Sequence, residues 1–173
     1  MSGLVDKIKS AAKGPIKEGG KINTKVLLKE HNPEQGTVDL DNLSGRNLIV
    51  GVPGAFTPPC SSHVPGYVTN ASAFIEKGVE NIYIVTINDT FTTNAWREKL
   101  GASNESKVHF LSDDTGAFTK SLGLDFDATG LLGGVRSQRY VLIVEGGIVK
   151  KAFVESHAPD ITVTSADNVL KAL

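Results

Sequence analysis

Cysteine is nearly absent: the 173 residues contain one, Cys60. A lone cysteine excludes an intrachain disulfide and any zinc site built from several thiolates. Charge surplus is missing too, with 18 Lys+Arg against 19 Asp+Glu and a net of −1. Nucleic acid is therefore not an expected partner, because phosphate binding draws on a basic face. No apolar run approaches the ~20 residues of a membrane span. Charges at Asp6 and Lys7 fall where a secretory signal keeps its apolar stretch, so a soluble, cytoplasmic protein is expected. Without such a signal, the Asn-x-Ser/Thr sequons at Asn42, Asn70, Asn88 and Asn104 carry no weight. His31, His109 and His157 match no ligand spacing, and no His-Glu-x-x-His motif occurs. Neither a metal nor another cofactor is expected.

The residues that are present suit one domain over residues 1–173, with 40% hydrophobic residues to fill a core. No repeat or low-complexity tract interrupts it. Residues 3–13 carry apolar side chains at helical spacing, stopped by Gly14-Pro15. Residues 22–28 read as a strand and 31–36 as a turn. The short run 47–52 is apolar and β-rich, the pattern of a strand buried on both faces. Residues 60–77 are helix-compatible, with a kink or break expected at Pro65. Next come a strand at 81–87, a helix at 90–100, a strand at 108–111 and a helix at 115–122. Residues 139–145 and 148–155 flank Gly146-Gly147 as a hairpin, and Ser165 is an N-cap for a last helix. This order predicts an α/β fold with a mixed central sheet and helices on both faces, compatible with a thioredoxin-like fold among other options.

Cys60 has two readings. A buried cysteine is commonly a small hydrophobe. Here, however, it comes after Pro53-Gly54-Ala55-Phe56-Thr57-Pro58-Pro59, a loop leaving a buried strand, and it opens a helix. Free N–H groups and the positive dipole end at that position favour a thiolate, and strand ends are where open α/β sheets place their sites. The reactive reading is the better one. His63 lies one turn further on. A hydrolase base usually arrives from far along the chain, so a cap or packing histidine is the expected role. Arg136 and Arg139 stand at the entry to a strand. Either is a solvated surface arginine, or Arg139 points inward and favours a thiolate; the residues alone leave both open. Residues 14–21 imitate a phosphate loop, but Gly20 stands where its lysine belongs and Ile22 where its Ser or Thr belongs. Residues 130–134 read as a flexible loop, and Trp96 as core.

The segment from Pro53 to Cys60 closely resembles the active-site loop of the peroxiredoxins, Pro-x-x-x-Thr-x-x-Cys. With Val64-Pro65-Gly66-Tyr67 after it, it is similar to the type II, peroxiredoxin-5-like group. Val85-Thr86-Ile87-Asn88-Asp89, Ala95-Trp96, Phe110-Leu111-Ser112-Asp113, Arg136-Ser137-Gln138-Arg139-Tyr140 and Val163-Thr164-Ser165-Ala166-Asp167 extend the resemblance from about residue 19 onward. The wording looks most like the fungal branch, which includes proteins first described as peroxisomal.

The resemblance implies a thioredoxin-like fold and thiol-dependent reduction of hydrogen peroxide and small alkyl hydroperoxides. Cys60 would be the peroxidatic nucleophile, passing through a sulfenic acid. Thr57 would hydrogen-bond thiolate and peroxide, Pro53 would shield the pocket, and Arg139 would match the catalytic arginine. Where relatives carry a resolving cysteine this chain has Ile84 and about Val163. A one-cysteine cycle is the consequence, completed by an external thiol: glutathione, glutaredoxin or thioredoxin. Relatives usually have three residues between the cysteine and the histidine of this helix, whereas Ser61-Ser62 make two here. One residue fewer turns the remainder of the helix by ~100°, which is expected to re-aim the pocket wall and weaken turnover. That departure keeps a second reading open, a redox sensor or holdase-type chaperone on the same fold, whose client protection would survive Cys60→Ser. A cysteine hydrolase is a distant third for lack of an orienting partner. Homodimerisation is expected through the loops around the site, with Phe56 and Phe91 as apolar contacts. Lys171-Ala172-Leu173 shares its last residue with a peroxisomal Ser-Lys-Leu address, so the peroxisome is a second expected location beside the cytosol.

Overall fold

The computed structural model describes residues 14–22 and 25–173. The helix expected over residues 3–13 lies outside them. In chain order the elements begin with β1 (Leu28–Lys29), β2 (Thr37–Val38), β3 (Arg46–Val52), α1 (Pro58–Thr69), α2 (Ala71–Glu76) and β4 (Val79–Thr86). They continue with α3 (Thr90–Lys99), β5 (Val108–Ser112), α4 (Ala117–Ser121), β6 (Asp125–Asp127) and α5 (Thr129–Leu132). The chain ends in β7 (Val135–Ser137), β8 (Tyr140–Glu145), β9 (Ile148–Val154) and α6 (Ala166–Lys171).

Side-chain alternation on β3, β4 and β8 explains why these strands sit at the centre. Leu48, Val50, Ile82, Ile84, Val141 and Ile143 face one layer, where Tyr67, Phe74, Trp96 and Val169 pack against them. Ile49, Tyr83, Val85, Tyr140, Leu142 and Val144 face the other, against Phe118 and Leu122. A strand apolar on both faces is stable only when both are covered, and the helices supply that cover. Among the described residues the sheet runs β2-β1-β5-β4-β3-β8-β9, with β3, β4 and β5 parallel and the outer pairs antiparallel. This is the expected thioredoxin-like α/β architecture with a mixed sheet. Gly146 and Gly147, at φ of 56° and 76°, make the tight β8–β9 turn that two positive φ angles require.

The structure corrects several boundaries. Of the strand expected over 22–28, only Leu28 enters β1 and residues 23–24 lie outside the described residues, while Ile22 donates its N–H to Gly147 O at 2.7 Å instead of joining that strand. Its apolar side chain is buried, so the apolar signal reported burial and not ladder pairing. Pro65 does not break α1. The break comes at Asn70, whose Nδ2 and N–H both donate to Gly66 O, at 2.8 and 3.1 Å. A side chain that bonds its own helix backbone competes with helix continuation. Within the loop expected at 130–134, residues up to Leu132 belong to α5, which Gly133 terminates in the left-handed region.

Candidate active site

Cys60 occupies the first turn of α1, whose opening Pro58 has its φ preset for helix and no N–H to leave unsatisfied. The helix starts just beyond the C-terminal end of β3, after a loop in which Phe56 takes a left-handed φ of 63°. Asn88, beyond β4, props that loop: its Oδ1 accepts from Ala55 N at 2.9 Å and from Thr86 Oγ1 at 2.7 Å. Across the sheet, antiparallel pairing sets Gly51 opposite Tyr140. Arg139, one residue before Tyr140, is thereby level with the end of β3 and beside Cys60.

The arginine does point inward. Arg139 is 1% exposed, and each of its nitrogens is engaged. Nε donates to Ala158 O at 2.9 Å, Nη1 to His63 Nδ1 at 3.0 Å, and Nη2 to Cys60 Sγ at 3.4 Å. Cys60 and His63 are one helical turn apart, so both side chains meet one guanidinium. His63 thus has a role beyond that of cap or packing residue. Its Nε2 faces Thr164 O at 2.8 Å. A carbonyl can only accept, so Nε2 carries the proton and Nδ1 offers its lone pair to Arg139. Burial drives the His63 pKa down from 6.5 to about 4, the Thr164 bond opposing and the Arg139 cation adding to the effect. The ring is neutral at pH 7. Despite the two-residue spacing after Cys60, the helix keeps His63 on the side of the thiol.

Arg136, the other candidate, braces loops instead: Nη1 donates to Ile87 O and Nη2 to Leu132 O, both at 3.0 Å. Thr57 lies beside Cys60, but the expected bond to the sulfur is not made; Oγ1 donates to Gly54 O at 2.8 Å. Pro53, Thr57, Cys60 and Arg139 together line a cavity of about 560 Å³, walled also by Phe126, Leu132 and Pro159. The walls are largely apolar, and burial of the sulfur and the cation strengthens the charge interaction between them.

Sequence reasoning missed Thr164 and Asn88 as supports, and with them Glu155, whose carboxylate accepts from Thr164 N and Oγ1 at 2.9 and 2.8 Å. A helical wheel would have put Cys60 and His63 on one face, while no local signal marks the others.

The described residues contain no helix long and apolar enough to cross a membrane. The Redoxin family model matches residues 12–170. Over 154 residues the chain is 48% identical to peroxisomal membrane associated protein 20 of Schizosaccharomyces pombe, covering 89% of this chain and 97% of that one. It is 36% identical over 166 residues to a putative peroxiredoxin-B of Candida boidinii, covering 92% and 99%. Among solved structures, reduced Prx3 of Vibrio vulnificus in complex with hydrogen peroxide superposes with a TM-score of 0.80 at 36% identity, covering 91% and 98%. An antioxidant protein of Plasmodium falciparum, a 1-Cys peroxiredoxin, has a TM-score of 0.80 at 28% identity over the same shares. The likeness spans nearly the whole chain and is not confined to the cysteine loop. The chain belongs to the Redoxin family, and within it is a thiol-dependent peroxidase of the peroxiredoxin type.

Proposed function

We propose that Cys60 is the peroxidatic nucleophile and that the protein reduces hydrogen peroxide and small alkyl hydroperoxides in a one-cysteine cycle. The observation that carries this reading is the buried Arg139 Nη2 donating to Cys60 Sγ at 3.4 Å, both lining an apolar cavity. A buried guanidinium donating to the sulfur favours the thiolate over the thiol, and in this reading it also stabilises the negative charge that develops beside it. The thiolate attacks the terminal peroxide oxygen. The O–O bond breaks, Cys60–S–OH forms, and alkoxide or hydroxide departs and takes a proton from water. With its own proton committed to Gly54 O, Thr57 Oγ1 has lone pairs free to accept the peroxide O–H. Pro53 closes the wall beside the sulfur.

Resolution falls to an external thiol, since the chain has no second cysteine. The thiol attacks the sulfenic sulfur and expels water, and a second thiol reduces the mixed disulfide. Glutathione with glutaredoxin, or thioredoxin, fills this role. Phe56 and Phe91, 50% and 71% exposed, are the proposed contacts of a homodimer, which light scattering tests. The cytosol is the proposed compartment, with the peroxisome second on the name of the S. pombe relative; immunolocalisation separates them.

The deciding experiment mixes reduced protein with one equivalent of hydrogen peroxide by stopped flow, with mass-spectrometric detection of Cys60 sulfenic acid. Reaction far faster than that of a free small-molecule thiol is expected, with none in Cys60→Ser. A rate equal to the free thiol's would overturn the assignment.

A further inference from the structure

Behind the cysteine–arginine pair lies a carboxylate that touches neither partner's side chain. Glu155 is 6% exposed. Its Oε1 accepts from Thr162 N at 2.6 Å, Thr164 N at 2.9 Å and Thr164 Oγ1 at 2.8 Å, and its Oε2 from Thr162 Oγ1 at 2.6 Å. Burial pushes this carboxyl up, but the Thr162 and Thr164 donors together outweigh it and hold it down at about 2. It is therefore ionised throughout the neutral range, and its charge is spent on neutral donors from one short stretch of chain.

That stretch is the one that holds the site. Thr164, gripped by Glu155 through N and Oγ1, turns its carbonyl to His63 Nε2. Ala158, within the loop that Glu155 closes, gives its carbonyl to Arg139 Nε. Glu155 N in turn donates to Arg139 O at 3.0 Å, tying the loop's root to the backbone of the arginine. Two of the three side-chain bonds on Arg139 thus depend on a segment folded back by one carboxylate. If Thr164 O withdraws, the buried Nε2–H of His63 loses its acceptor and only the Arg139 donor still favours the proton on Nε2. A ring protonated on Nδ1 would present N–H to N–H at Arg139 and push the guanidinium off the sulfur.

We propose that Glu155 is a positioning residue for peroxide reduction, acting through Thr164 and His63 to hold Arg139 against Cys60 Sγ. This rests on the reading of Cys60 as the nucleophile.

Glu155→Gln keeps the shape but removes the charge: Oε1 can still accept its three bonds, while the new amide must donate to Thr162 Oγ1, so the bonds lose their charge-assisted strength and one reverses direction. Two readings are taken on each variant: the stopped-flow rate of sulfenic acid formation, and the pH profile of Cys60 alkylation by iodoacetamide. Near-UV circular dichroism and the thermal midpoint report the fold. A misplaced guanidinium is expected to slow peroxide reaction by roughly 10- to 100-fold and to move the alkylation profile to higher pH, with the native near-UV spectrum retained. Thr164→Val, which removes one hydroxyl donor and keeps the carbonyl, covers the case in which Glu155→Gln does not fold. It is expected to change both readings in the same direction by a smaller factor. A folded variant with wild-type rate and an unmoved profile, whatever its thermal midpoint, would make Glu155 a fold anchor and overturn the proposal. Wild-type protein reacting no faster than a free thiol would instead overturn the reading of Cys60.

Discussion

His63 Nδ1 and Arg139 Nη1 stand 3.0 Å apart in the core, the imidazole accepting and the guanidinium donating. The relationship requires a neutral ring. An imidazolium would set a second buried cation against the first, and a buried charge is costly unless paired.

Acid sensitivity is the result, with a definite sign. His63 titrates at about 4 when folded and near 6.5 when unfolded. Between those values the unfolded chain binds more protons, so stability rises with pH across the window and falls on acidification. Lowering the pH from 7 to 4 is expected to remove about 3 kcal/mol through this group alone. Urea midpoints measured across the range should show a slope that flattens in His63→Gln. Glu155, held at about 2, adds its own loss below pH 4.5.

Arg139→Lys keeps the charge and loses the fork. A lysine cannot serve Ala158 O, His63 Nδ1 and Cys60 Sγ with one planar group. Sulfenic acid formation is expected to fall about 10²- to 10³-fold, the range for losing one preorganised donor at a developing charge. Stopped-flow rates at a fixed peroxide concentration check it.

Thr164 O accepts a second bond, from Tyr67 Oη at 2.5 Å. Burial, with the nearby Glu155 charge adding to it, raises the Tyr67 pKa far above its usual value, so the phenol is always a donor here. Tyr67→Phe removes the donor and is expected to cost about 1 kcal/mol, read as a lower chemical-denaturation midpoint.

Tyr140 offers the opposite case. Its hydroxyl is fully buried with no hydrogen-bond partner among the described residues, and Tyr140→Phe is expected to stabilise by about 1 kcal/mol. Its ring lies over Gly51, where an added Cβ would come within 2.1 Å of the Tyr140 ring. Gly51→Ala is therefore expected to destabilise by about 2 kcal/mol or more. Calorimetry on the two variants should show midpoints displaced in opposite directions.

Local signals carry only so far along the chain. The β3 strand, the loop to Cys60 and the helix after Asp89 are legible because their signals lie within a few residues: apolar runs, prolines and helical spacing; the Asp89 side chain that caps this helix, accepting from Thr92 N at 2.9 Å, is added by the structure. Arg139 was singled out by its place before an apolar run, and its inward direction was settled by the β3–β8 register. The role of His63 is not legible locally because its partners are 76 and 101 positions away. Glu155 sits at the end of a strand like any solvated glutamate, and its four donors come from a turn that composition does not announce. The break at Asn70 and not at Pro65 has a different origin: the bond that ends the helix spans only four residues, but it is a side-chain bond that propensity does not weigh.

Cys60 and Arg139 are separated by 79 positions, and they meet only when β3 has paired with β8 and the chain has returned past Ala158. Contacts of such separation are closed late and slowly in folding. A nascent or unfolded chain therefore carries an ordinary thiol, without the cation or the apolar cavity. On the reading proposed for Cys60, reactivity toward peroxide is then switched on by the pairing of β3 with β8, and the rate at which Cys60 becomes oxidisable during refolding reports that pairing.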